Sequence, residues 1–235
     1  MYGVSGLALF AAAYSLYGGL SAVAWPDVIQ VIFLVFGGLV TSYLALDTVS
    51  EGAGVMAGLN TIFTEAPERF VMILDKSNPE YSNLPGIGVL VGGLWVANLY
   101  YWGFNQYIIQ RTLAAKSLKE AQKGILLAAC LKLIIPVIVV VPGIAAYVMV
   151  TDPQILGSLG EAGLNNLPSL DQADKAYPWL LQFLPTGLKG VAFAALTAAI
   201  VSSLASMLNS TSTIFTMDIY KPYINKNASD KATVS

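Results

Sequence analysis

The sequence predicts an all-α transmembrane protein with five spanning helices, and two observations predict it. Hydrophobic residues make up 56% of the 235 and charged residues only 11%, against about 25% charged in soluble chains. The charges are also segregated: none falls in 1–26, 28–46, 81–110, 133–151 or 190–217. Each run is close to or above the ~20 residues that a helix rising ~1.5 Å per residue needs to cross a ~30 Å hydrocarbon core. The same composition sets exclusions. Twelve Lys and Arg against fourteen Asp and Glu give a net charge of −2, which offers no basic surface for nucleic acid. A single cysteine, Cys130, and no histidine exclude an internal disulfide, most zinc sites and histidine acid–base chemistry. No nucleophile–base pair or metal cluster stands out, so neither an enzyme activity nor a cofactor is expected.

Taken in order, the spans are expected at 3–24, 27–47, 86–110, 122–150 and 190–217. The first lacks the basic leading segment of a signal peptide and is too long and too rich in Gly and Tyr for one. A short link around 22–26 ends in Pro26, and Asp27 follows it. A carboxylate there suits the start of a helix, where backbone N–H groups are unpaired. The connection 48–85 contains apolar residues at helical spacing over 55–63, and the connection 151–188 contains an aromatic, apolar stretch over 177–184. Each reads either as a short interfacial helix over the bundle or as a solvated loop with a few anchors. The third span looks interrupted, because Gly92, Gly93 and Gly103 bracket its aromatic centre. Arg111, Lys116, Lys119 and Lys123 follow it, and Lys221, Lys226 and Lys231 lie in the tail 218–235. Arg69, Lys76, Lys175 and Lys189 are spread over the two longer connections. Positive charge favours the cytoplasmic side. The segment 111–123 and the tail are therefore expected in the cytoplasm, with the N-terminus and the connections 48–85 and 151–188 outside a plasma (inner) membrane.

Polar residues deep in lipid are costly and mark candidate sites. Counting helical rise puts Lys132 roughly 14 Å past Lys123, Asn98 roughly 20 Å before Arg111, and Ser202 and Ser203 roughly 23 Å before Asp218. Lys132 sits in an otherwise apolar run and is expected to donate hydrogen bonds into a polar cavity. Asn98 lies among Trp95, Tyr100, Tyr101 and Trp102. Rings that cover C–H faces, with an amide for hydroxyls, suit a sugar; a glycine packing seam with an aromatic belt is the other reading. Ala199, Ser202, Ser203 and Ser206 share one helix face. Their oxygens are hard ligands suited to Na⁺, and a small-residue stripe is equally a helix-packing seam.

Three stretches carry a resemblance to a known family: 16–25 (LYGGLSAVAW), 95–116 (WVANLYYWGFNQYIIQRTLAAK) and 193–209 (FAALTAAIVSSLASMLN). In them, and along essentially its whole length, the chain resembles the sodium:solute symporters, especially bacterial sodium/galactose (sodium/glucose) cotransporters. The resemblance implies that Asn98 and Lys132 hydrogen-bond a sugar and that Tyr101 stacks on it at an inner gate. It implies Na⁺ ligation by the Ala199 carbonyl and the Ser202 and Ser203 hydroxyls, with Asp27 on the sodium exit path. It further implies a ten-helix core of two inverted five-helix repeats, of which this chain supplies the fourth to eighth helices. The implied partners are the sugar, Na⁺, the lipid bilayer and the missing helices. Symport of another solute (an amino acid, a carboxylate or a vitamin) and a non-transporting membrane remnant are the alternatives.

Overall fold

The computed structural model describes residues 2–82, 86–229 and 233. Among them every regular element is helical. The α-helices are α1 (Tyr2–Val49), α2 (Val55–Glu65), α3 (Leu94–Gly103), α4 (Gln106–Leu113), α5 (Leu118–Lys132), α6 (Val141–Thr151), α7 (Pro153–Ser158), α8 (Gly160–Leu164), α9 (Ala176–Leu180) and α10 (Thr186–Ile214). Three helical stretches among the described residues are long and apolar enough to cross a membrane: Asp27–Val49, Leu118–Thr151 and Thr186–Ile224.

The expected link around 22–26 lies outside the residues described in full; on either side of it the chain is helical and apolar, over Tyr2–Leu16 and Asp27–Val49. The third expected span is interrupted where its glycines stand. A widened π-helical turn covers Val89–Gly93, and α3 ends at Gly103. The fourth runs as expected but is broken at its centre, with a turn at 133–134 and a widened turn at Pro136–Val140. Pro136 has no N–H to offer the Lys132 carbonyl, and its ring crowds that oxygen, so the regular ladder cannot pass. The fifth extends past its expected end. A widened helical segment, Phe215–Ile224, takes up the start of the expected tail.

The chain divides into two units. The first draws on the chain up to Val31, on Trp95–Ile125 and on the chain from Leu196; the second comprises Ile32–Leu94 and Leu126–Ala195. The second unit holds the larger apolar core. Ala45, Leu46 and Val49 of α1 pack with Ile62 of α2, with Ala145, Val148 and Met149 of α6, and with Trp179 and Leu180 of α9. The stretches 55–63 and 177–184 are thus largely helical, and each packs some of its apolar residues, Ile62 in the first and Trp179, Leu180 and Leu181 in the second, into the core, so the loop reading does not hold. The indole N–H of Trp179 is satisfied by the Gly163 carbonyl at 2.9 Å, as a buried Trp requires. Arg69 lies over the Tyr147 ring, 4.1 Å from its centroid, in cation–π geometry. Ser42 of α1 donates to the Gly38 carbonyl at 2.9 Å and to the Val137 carbonyl at 2.8 Å. The second bond reaches the turn that Pro136 widens. Gly38 allows that approach, because a Cβ there would stand 2.8 Å from the Ile138 Cβ.

Gly58 is the tightest point. A Cβ on it would sit 2.0 Å from the Leu46 carbonyl oxygen and 2.6 Å from its carbon, and backbone cannot swing aside as a side chain does. Gly58→Ala is therefore expected to destabilise the protein by about 1–3 kcal/mol, read as a lower melting temperature. Gly143→Ala on α6, where a Cβ meets nothing within 4 Å, is the control and should leave the melting temperature unchanged or slightly raised. Equal melting temperatures for the two variants would refute this packing.

Candidate functional site

Asp27 is the only charged residue in 1–46, and it sits within α1. Its counter-ion comes from α4, which a local break delivers. After α3, the N–H groups of Phe104 and Asn105 both turn back to the Tyr100 carbonyl, at 2.9 and 3.0 Å. The Asn105 side chain then accepts from the Tyr107 N–H at 3.1 Å, the capping interaction that starts a new helix. Gln110 and Arg111 fall in the last turn of that helix. From α10, Ser202 and Ser206 stand one turn apart on a single face.

Asp27, Arg111, Ser202 and Ser206 all lie in the first unit and form one chain of hydrogen bonds. Arg111 Nη2 donates to Asp27 Oδ2 at 2.6 Å and also to Ser206 Oγ at 2.6 Å. The Ser202 hydroxyl donates to the other carboxylate oxygen, Asp27 Oδ1. The pair is partly sheltered, with side-chain exposures of 35% for Arg111 and 21% for Asp27. Arg111 Nε is buried and has no acceptor among the described residues. Beside this chain, the buried Gln110 donates to the Ser206 carbonyl at 3.2 Å and to the Tyr107 carbonyl at 3.3 Å. It accepts from Asn209 Nδ2 at 2.9 Å. Ala11 and Ala205 are fully buried together, and Ser15 Oγ donates to the Ala205 carbonyl at 3.4 Å. Small residues let the two backbones come this close.

Of the residues singled out from sequence, the structure joins Asp27 with Ser202. Ala199 and Ser203 are half-buried on the same helix, and the Ser203 hydroxyl makes no hydrogen bond among the described residues. Asn98 and Tyr101 lie on α3, both exposed, with Tyr101 edge-on to Trp102 at 5.3 Å between centroids. Lys132 is the last residue of α5, exposed, and belongs to the second unit. Two expectations need correction. Arg111 is not in a loop: it is helical, and only 114–117 separate α4 from α5. The depths counted from Arg111 and Asp218 also fail as landmarks, since Arg111 contacts Ser206, four residues from Ser202. The count assumed straight helices ending at charges, whereas α3 breaks at Gly103 and the last helix passes Asp218. Arg111, Gln110 and Asn209 were missed as partners. The available signal was that a lone carboxylate in an apolar run needs a cation.

Among the described residues every regular element is helical, three helical stretches are long and apolar enough to cross a membrane, and an ion pair is joined to helix hydroxyls. The chain belongs to the sodium:solute symporter family, whose model matches residues 2–235. It is 67% identical over 235 residues to the sodium/glucose cotransporter of Vibrio parahaemolyticus, an alignment covering 100% of this chain and 43% of that protein. It is 38% identical over 230 residues to the uncharacterized symporter YidK of Escherichia coli, covering 97% of this chain and 36% of that one. It is 36% identical over 247 residues to the human sodium/myo-inositol cotransporter 2, covering 97% and 35%. The chain therefore spans less than half the length of these relatives. Membership makes it part of the multi-pass membrane symporters rather than an enzyme, in a family whose coupling ion is Na⁺ and which indicates no further cofactor.

The Gln110–Asn209 bond predicts a coupled pair. Gln110→Ala should cost about 1–3 kcal/mol by leaving a part-buried amide donor unmatched. Asn209→Ala should cost less in the Gln110→Ala background than in the parent. Chemical or thermal unfolding of the four proteins in detergent measures this, and strictly additive losses would contradict the bond.

Proposed function

We propose that this chain is the central section of a symporter that couples Na⁺ entry to import of a sugar such as galactose or glucose. The observation that carries the reading is the 67% identity along the whole chain to a protein named a sodium/glucose cotransporter. A second substrate, a cyclitol, is supported by the 34–37% identity to proteins named sodium/myo-inositol cotransporters. Both substrates are polyhydroxylated rings with apolar faces and hydroxyl edges. Tyr101 would stack on such a face, while the Asn98 amide and the Lys132 ammonium would take the hydroxyls.

Na⁺ would be held by the Ala199 carbonyl and by the Ser202 and Ser203 hydroxyls, with Asp27 on its way out. These are neutral oxygens or lie beside one carboxylate, which suits a weakly held monovalent ion that has to leave again. They supply at most three ligands from one helix, so further oxygens would come from elsewhere in the transporter. In this reading five spans belong to a ten-helix core of two inverted repeats, with the N-terminal end of the chain outside and the C-terminal end in the cytoplasm. Alternating access would move one bundle against another around midplane sites. The exposed Asn98 and Lys132 would then face the remaining helices and the cavity, not lipid.

Ser203 gives the cleanest test, because among the described residues its hydroxyl holds no hydrogen bond whose loss would disturb the cluster. In the complete transporter in proteoliposomes, Ser203→Ala should raise the half-saturating Na⁺ concentration by about tenfold and, through linkage, weaken apparent sugar affinity at sub-saturating Na⁺. Sugar uptake that matches the parent across a full Na⁺ titration would contradict the assignment.

A further inference from the structure

We infer that Arg111 is a built-in competitor of sodium: its guanidinium occupies the Asp27 carboxylate and so sets how tightly Na⁺ is held at Ser202. The inference rests on the sodium-coupled reading above. It starts from the order of the hydrogen-bond chain, Ser206 to Arg111 to Asp27 to Ser202. The Ser202 proton is committed to the carboxylate, so the Ser202 lone pairs are what remain for a cation. A cation there feels Asp27 through that bond, and Arg111 has already cancelled most of the carboxylate's charge. Removing the guanidinium would leave an unshared carboxylate one hydrogen bond from the sodium ligand.

The pairing is not that of a purely structural ion pair. Arginine and carboxylate typically meet as two parallel bonds, but here one nitrogen, Nη2, serves both Asp27 and Ser206. The buried Nε has no acceptor among the described residues. The guanidinium is therefore held to the carboxylate through a single nitrogen, a looser grip than the two-bond fork. The Ser206 hydroxyl gives Nη2 a second acceptor. The side chain can therefore stay in place when the carboxylate turns toward an ion, and return when the ion leaves. Weak binding is what release into the cytoplasm requires, and a tethered cation supplies it without altering the ligands.

The test uses the complete transporter, with direct ²²Na⁺ binding in detergent and K⁺ as competitor, alongside thermal stability. Arg111→Gln is expected to bind Na⁺ about tenfold more tightly than the parent, with Arg111→Lys remaining within about threefold of it. Asp27→Asn, which leaves Arg111 uncompensated, is expected to bind more weakly, and Asp27→Asn with Arg111→Gln to recover toward the parent. A structural role alone would lower stability without tightening Na⁺ binding. Arg111→Gln that is folded but binds Na⁺ no more tightly than the parent overturns the inference. If that variant does not fold, a double variant binding no more tightly than Asp27→Asn overturns it equally. A parent that binds no Na⁺ overturns instead the reading on which the inference stands.

Discussion

A carboxylate placed inside an apolar helix has to be answered by a cation and by hydrogen-bond donors, and that requirement at Asp27 organises the first unit. One guanidinium and one hydroxyl divide the two carboxylate oxygens between them. Because they come from α4 and α10, satisfying one side chain ties three helices that are far apart in sequence. Apolar packing alone would specify this region poorly. Among the described residues its buried apolar cluster is Ala11 and Ala205, with Tyr14, Val201 and Leu204 packed against them, and lipid is as apolar as the side chains it would replace. Hydrogen bonds to a charge are directional and hold one register.

The other features of the first unit follow from delivering those partners. The chain breaks after Gly103 and restarts at an Asn105 cap, which gives α4 its own start instead of making it a continuation of α3. Gln110, the residue before Arg111, then bonds the Ser206 carbonyl and Asn209, fixing α4 against α10 from the neighbouring position. The second unit obeys the same rule with backbone groups in place of charges. Pro136 disturbs the ladder, and Ser42 reaches the carbonyl of the adjoining turn. In both units a helix irregularity is matched by a side chain from a remote segment.

Those local irregularities were legible from sequence, and their partners were not. Glycines at 92, 93 and 103 and the apolar spacing in 55–63 and 177–184 are short-range signals, and each falls on a break or a short helix in the structure. The fifth span and the all-helical class follow from charge-free length in the same way. The Asp27–Ser202 pair joins residues 175 positions apart and the Asp27–Arg111 pair joins residues 84 apart. No periodicity encodes such contacts. Ser202 itself could be placed on a polar face, but its depth could not be counted from charges that proved to lie within helices. Arg111 was read as loop charge for the same reason.

The central claim is that Asp27 and Arg111 act as one unit. A double-mutant cycle in which Asp27→Asn and Arg111→Gln are made singly and together, read by reversible unfolding of the detergent-solubilised protein, tests it most directly. A coupling of about 1–3 kcal/mol is expected, with the double variant more stable than the sum of the single losses allows. Additive losses, with each single change costing the same whether or not the other is present, would contradict the account.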